Sequence, residues 1–337
     1  CTILLFVIDQ HRLQPWAFQF ALFAVVLSAL PAARAWVLLR CVVISIYFWS
    51  ALAKFDFSFL DTLGQHFLAT LADFVGLSID AWPMEFRYAA AFAFPFAELL
   101  IAIGLCLPLA RWTWLRRAML VLMFATHGLL ILSLSPWGMN HRPGVILWNV
   151  WFLFQAWMLV ARGPQDESPA PPEAASSQQS PVHRELVGVI VEFLVAAVIL
   201  LPALSLANRY DHWLAWGLYA PRNSRATLFI QNAKVEGLPE EMQHFVAESI
   251  SEEEWRKVHL DQWSLDVLDA PIYPQDRFQV AVAAEVVRQN ELQNSFQIIV
   301  ESPADRWTGR RRQPVIRNWA ELESHRQRYR LGSSARQ

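Results

Sequence analysis

WVLLRCVVISIYFWSALA, residues 36–53, runs for eighteen residues with a single charge, Arg40. A helix that spans a bilayer needs about 20 mostly apolar residues. The stretch therefore reads as a membrane span, and Lys54 follows it directly. Working outward, similar apolar runs occupy approximately 16–31, 87–108, 115–135, 144–161 and 185–206. Residues 1–8 read as the tail of a truncated membrane helix. A lipidated Cys1 would need a flexible polar tether, and Ile3 to Ile8 are apolar instead.

Composition agrees with this reading. Of 337 residues, 55% are apolar and 17% charged, with 16 Trp and 22 Phe; a soluble domain carries roughly 25% charged residues. A disordered chain, a coiled coil and an ordinary cytosolic enzyme are excluded. The net charge of −2 gives no global basic field for nucleic acid. Residues 1–162 hold 10 Lys+Arg and 7 Asp+Glu, whereas 207–337 hold 17 and 18. The expected fold is an all-α polytopic membrane bundle with a small C-terminal α+β extramembrane domain. The bundle covers 1–162, and 183–206 is a further transmembrane helix. Between them, 163–182 has five prolines and three acids and is expected to be a disordered linker. The soluble domain covers 207–337.

Within the bundle, Leu60, Leu63, Phe67, Leu71 and Phe74 recur at helical spacing with polar residues between them. Residues 57–76 are expected to form an amphipathic helix in the interface. Six spans then bring the loops 9–15, 54–86 and 136–143 to one face, together with the domain after 207. Arg34, Arg40, Arg111, Arg116, Arg117, Arg162 and Arg184 fall on the other side. That bias places the arginine-rich side in the cytoplasm and the C-terminal domain outside, in a multi-pass inner (cytoplasmic) membrane protein. The domain opens on Tyr210, Trp213, Trp216 and Tyr219, read as an aromatic belt at headgroup level. Strands are expected at Thr227–Ile230 and Phe296–Glu301, and helices at Pro239–Ser249, 274–290 and 317–330.

The shared face gathers polar residues. Lys54, His141, Asp9 and His11 are candidates for catalysis, because a Lys beside apolar helices or an imidazole can move protons. Arg12, Arg142, Asn140 and Gln10 are candidates for substrate binding, the arginines by clamping an anion. Their plain alternative is loop charges facing water or phospholipid. Glu98, His127 and Arg40 lie inside apolar spans, where ionisable groups usually face a bundle interior or wet cavity. His127 is a candidate partner for Glu98, and either one could be a packing group. No metal site is expected: Cys1, Cys41 and Cys106 have no CxxC spacing, and His11, His66 and His141 have no HExxH-like arrangement. Arg310-Arg311-Arg312 reads as a solvated face.

The stretch Leu39–Trp157 resembles the DoxX/MauE-like superfamily of small redox-associated membrane proteins. The residues that carry the resemblance are RCVVISIYFWSALAKFDFSFLDTLG (40–64), PFAELLIAIGLCLP (95–108) with Glu98 and Gly104, and ATHGLLIL (125–132) with His127. The resemblance implies a four-helix bundle with an interfacial helix after its first span. It also implies a link to electron transfer, thiol or sulfur redox chemistry or quinones, with a redox or thiol partner protein and a quinone as the implied cofactor. The cysteine signature of some methylamine-utilisation members is absent at Trp137–His141, which argues against direct thiol chemistry. A second resemblance is to the membrane domain of vitamin-K-dependent carboxylase-like (HTTM) proteins. There, Lys54 would match the basic lysine. A non-catalytic scaffold that presents an outer domain to a partner is the rival from another class, and whether the chain is an enzyme stays open. A transporter comes third, without an inverted repeat to support it.

Overall fold

The computed structural model describes residues 9–108, 111–161, 181–248 and 254–329. The helix tail expected at 1–8 and residues 163–180 of the linker expected at 163–182 lie outside the described residues, whereas Pro181 and Val182 already belong to a helix. Two compact units emerge. One is Pro15–Pro221; the other joins the described residues up to Gln14 with those from Arg222 onward.

The first unit is helical. Its elements are α1 Pro15–Ala29, α2 Ala32–Lys54, α3 Phe57–Asp61, α4 Leu63–Asp73, α5 Met84–Cys106, α6 Thr113–Leu134, α7 Pro143–Ala156 and α8 Pro181–Leu200. A π-helical turn over Trp157–Ala161 extends α7, and a 3₁₀ stretch Leu201–Ala207 extends α8. Five stretches are long and apolar enough to cross a membrane: Ala32–Lys54, Met84–Cys106, Thr113–Leu134, Pro143–Val160 and Glu185–Ala207. The expected span at 16–31 is shorter. It stops at Ala29, because Pro31 sits in an extended conformation and opens α2. Fifteen residues rise about 22 Å.

Apart from charges near their ends such as Arg34, Glu85 and Arg117, these helices turn many large apolar residues outward. Phe96 and Ile103 of α5, Val121 of α6, Leu147 and Phe154 of α7 and Phe193 of α8 are all exposed. Inward, the main core includes Leu22 and Val26 of α1, Val42 and Ile46 of α2, Ile101 of α5, Met123 of α6, Phe152 of α7 and Val195 of α8, and a smaller one holds Phe59, Phe67 and Leu134. Gln19 lies fully buried in the main core. Its amide donates to Gln155 Oε1 (3.3 Å) and accepts from Trp148 Nε1 (2.7 Å). Arg40 points to the end of α5, where its guanidinium donates to the carbonyl of Leu105 (2.7 Å). A helix C-terminus leaves carbonyls without intrahelical donors, so Arg40 works as a cap.

The amphipathic helix expected at 57–76 is two helices with a break at Thr62 (φ −123°, ψ −93°). Asp56 caps the first by accepting from Phe59 N (2.9 Å), and Thr62 Oγ1 bonds back to Ser58 O (2.6 Å). The polar positions find partners on α5: Gln65 accepts from Arg87 (2.9 Å), and Tyr88 donates to Asp61 (2.7 Å). The apolar side sets Phe67 against Phe94, with ring centroids 5.8 Å apart.

Residues 208–221 also belong to this unit, not to the C-terminal one. The aromatic belt is thus partly inside. Trp216 is fully buried and packs on Phe18, centroids 5.2 Å apart. Its large ring removes more apolar surface from water in the core than at a headgroup boundary.

The second unit holds an antiparallel sheet. Its elements are β1 Arg225–Gln231, α9 Glu240–Gln243, β2 Trp255–Val258, α10 Leu260–Val267, α11 Asp276–Gln289, β3 Phe296–Glu301, β4 Val315–Ile316 and α12 Trp319–Arg326. The strand order is β2-β1-β3-β4, with Leu228 opposite Val258 and Ile298. Val280, Ala283, Ala284 and Val287 of α11 share a core with Leu228, Ile230, Phe296 and Ile298. The helix expected at 239–249 shrinks to four residues, because Val246 pairs with Val258 as an extended bridge. The 3₁₀ turn Gln10–Arg12 is grouped here, not with the bundle. Gln10 accepts from Arg277 (2.9 Å), and the His11 ring meets Phe278 edge to face at 4.6 Å.

Candidate functional site

Lys54 ends α2, yet it is only 4% exposed. Its ammonium meets both oxygens of Glu98, at 2.8 and 2.7 Å, and Ser50 Oγ at 2.6 Å. An ammonium has three donors, so this set accounts for them all. Ser50 is one helical turn before Lys54 and therefore on the same face of α2. Glu98 lies fourteen residues into α5, about 21 Å from its start. The first half of α5 thus extends past the end of α2 and carries α3 and α4. This explains how a residue that reads as a loop-facing anchor is buried. Pro95 lies inside α5, three residues before Glu98. It removes one hydrogen bond from the helix there.

Next to the ion pair runs a second chain of polar groups. Asn149 donates its amide to Val145 O (3.0 Å), which leaves Oδ1 as an acceptor. His127 Nδ1 lies 2.9 Å from that oxygen, so Nδ1 carries the proton. Nε2 is then the acceptor, and the Tyr47 hydroxyl donates to it at 2.6 Å. The His127 ring stacks on Phe152, centroids 4.7 Å apart and planes 3° apart. Stacking and two hydrogen bonds hold one tautomer and one orientation. The expected Glu98–His127 partnership is replaced: Glu98 takes Lys54, and His127 takes Tyr47 and Asn149.

Both chains line one cavity of about 410 Å³, its mouth included. Its polar wall is Tyr47, Ser50, Lys54, Glu98, His127 and Asn149, and its apolar wall includes Ile46, Trp148, Phe152 and Leu218. Tyr219 completes the lining. Ligand sites are typically concave and mostly apolar, with a few convergent polar groups. Tyr47, Ser50, Asn149 and Tyr219 were not singled out as site residues from the sequence. Tyr47 was detectable as the residue seven before Lys54, two helical turns away on the same face of α2; Tyr219 was not, because only the chain's return to the bundle puts it there.

The other expected site residues are placed as follows. His141 lies in the turn between α6 and α7, and its ring meets Tyr219 edge to face at 6.2 Å. Burial lowers its pKa. Asn140 has φ 50° and shapes that turn, while Arg142 stands at the N-cap of α7. Asp9 accepts from His11 N (3.0 Å), His11 Nδ1 (3.2 Å) and Arg12 Nε (3.2 Å). Asp9, Gln10, His11 and Arg12 thus form a local turn in the unit of residues 222 onward, and Lys54, Asn140, His141 and Arg142 belong to the other unit. Burial outweighs Asp9 and lowers the pKa of His11. Among the described residues, no group of three or more His, Cys, Asp or Glu is placed to hold a metal ion.

No protein-family model matches the chain, and no curated protein or solved structure is detectably similar to it.

Proposed function

We propose that this chain is a multi-pass membrane protein whose bundle binds a quinone-type head group in the cavity between Lys54 and His127. The observation that carries the reading is the Lys54–Glu98 ion pair, set in a largely apolar cavity beside the Tyr47–His127–Asn149 chain. Burying charges is costly, and in a membrane bundle such groups mark ligand or proton pathways. The exposed apolar surface of the five long helices supports a bilayer as their surroundings, because a soluble monomer rarely exposes contiguous patches that large. A head group of this class is flat and uncharged. It suits walls of Trp148 and Phe152 and a lining whose two charges cancel.

In this reading Lys54 and Glu98 handle protons as a pair, and a redox or thiol partner protein exchanges electrons with the bound ligand. The loops 54–86 and 136–143 and the C-terminal unit face the extracytoplasmic side of a bacterial-type inner membrane. His141, Asn140 and Arg142 border that side of the bundle, and Asp9 to Arg12 accompany the C-terminal unit.

The test is equilibrium binding in detergent micelles, followed by quenching of tryptophan fluorescence with 2-methyl-1,4-naphthoquinone, since Trp148 lines the cavity. Saturable quenching is expected in the wild type. It should weaken by roughly ten-fold or more in the charge-free double variant Lys54→Met/Glu98→Leu. Quenching that rises linearly and equally in both proteins would sink the proposal.

A further inference from the structure

Tyr219 is the one lining residue whose hydrogen-bonding group has been left over. Its hydroxyl is buried, with no hydrogen-bond partner among the described residues. Leaving a buried hydroxyl unmet forfeits its hydration without return, so such a group invites an explanation. The neighbours offer none. All three Lys54 donors are taken, the Tyr47 proton is committed to His127, and the His127 Nδ1 proton goes to Asn149.

The backbone at Tyr219 is also unusual. Trp216 and Tyr219 have φ of 59° and 52°. Bulky residues avoid the left-handed region, and one persists there only where the surrounding structure holds it. Burial of Trp216 and the edge-to-face contact of Tyr219 with Phe67 (5.5 Å) hold the segment. Burial also pushes the phenol well above its ordinary pKa, so it stays protonated and able to donate.

We infer that Tyr219 is a ligand-binding residue whose hydroxyl donates to a carbonyl oxygen of an uncharged ligand in the cavity. This rests on the reading of the cavity as a head-group site, and it deepens that reading by naming the donor and the atom it takes. The ligand is uncharged because the Lys54 and Glu98 charges already compensate one another. It carries a carbonyl because a donor is what the site leaves open. One face of the ligand would lie along Trp148 and Phe152.

The experiment compares wild type with Tyr219→Phe, which keeps the ring against Phe67 and removes only the hydroxyl. Binding is measured for 2-methyl-1,4-naphthoquinone and for 2-methylnaphthalene, which has the same ring system without oxygen, the latter by displacement of the former. The variant should bind the quinone roughly ten-fold more weakly and the hydrocarbon equally well. Without ligand, its melting temperature should be unchanged or higher, because no bond is lost. Equal quinone affinity in the two proteins overturns the role of Tyr219 and leaves the head-group site standing. A lower melting temperature in the ligand-free variant overturns it too, because the hydroxyl would then have a structural partner. No saturable binding to the wild type overturns both.

Discussion

Glu98 and Lys54 meet because α5 overshoots the end of α2, and each is expensive without the other. Their side chains are 13% and 5% exposed. Removing one partner leaves a buried charge and costs about 3–5 kcal/mol, whereas replacing both with apolar residues is often neutral. Lys54→Met and Glu98→Leu should therefore each lower stability by about that amount, and the double variant should regain most of it. Denaturant unfolding in detergent checks this; single variants no worse than the double would mean the pair is well solvated. His141 gives a pH dependence with a definite sign. Its imidazole is held below the ordinary value by burial. As pH falls through about 6.5, the unfolded chain takes up a proton that the folded chain still refuses. Stability therefore drops from there downward until the lowered folded value is passed, and is unaffected above. His141→Asn should flatten the melting-temperature profile between pH 7.5 and 5 relative to wild type. A profile parallel to wild type would refute the assignment. The sequence made Lys54, Glu98 and His127 visible because ionisable groups in apolar runs stand out. It could not reveal which of them pair, since that depends on where each helix ends along its neighbour.

At the scale of elements, the seam between α4 and α5 depends on Gly64. A Cβ there would lie 2.9 Å from the carbonyl oxygen of Phe59 and 3.0 Å from Ala91 Cβ. Both are anchored in helices and cannot swing aside. Gly64→Ala should destabilise by about 1–3 kcal/mol through overpacking. Gly128, inside α6, has nothing within 4 Å of the same position, so Gly128→Ala carries no such cost. Thermal unfolding of the two variants in one detergent separates them; equal melting temperatures would show that α4 yields. The long helices were readable from runs of apolar residues, and β1, β3 and α11 from patterns that one buried face imposes. The break at Thr62 was not readable, because the apolar spacing continues across it. β2 and β4 were missed because they are short: WRKV has two adjacent charges at its centre, and Val315–Ile316 is only two residues long, so neither shows an alternating pattern. They exist because β1 and β3 offer open edges.

The whole molecule raises a question of sidedness that α1 answers. If the five long helices cross a bilayer as proposed, then, starting with α2, the loops at 54–86 and 136–143 and everything after residue 207 fall on one side. Gln10 and His11 contact Arg277 and Phe278, so on the same proposal the segment before Pro15 would share that side. α2 begins on the opposite side, at Ala32. On that proposal the chain from Pro15 to Pro31 would cross, although α1 contributes only about 22 Å against a hydrocarbon thickness of about 30 Å. A short span is accommodated by local thinning of the bilayer, at fractions of a kcal/mol per ångström. The buried Gln19 also suits a helix held by protein contacts more than by lipid. In a chain freed of its native cysteines, single cysteines at positions 14, 80, 137 and 307 should label from the same side with an impermeant maleimide. A cysteine at 111 should label from the other. Labelling of position 14 together with 111 would mean that α1 does not cross. The contacts of Gln10 and His11 with α11 would then not exist in the membrane-inserted protein, and Asp9 to Arg12 would lose any place on the face that carries His141 and Arg142.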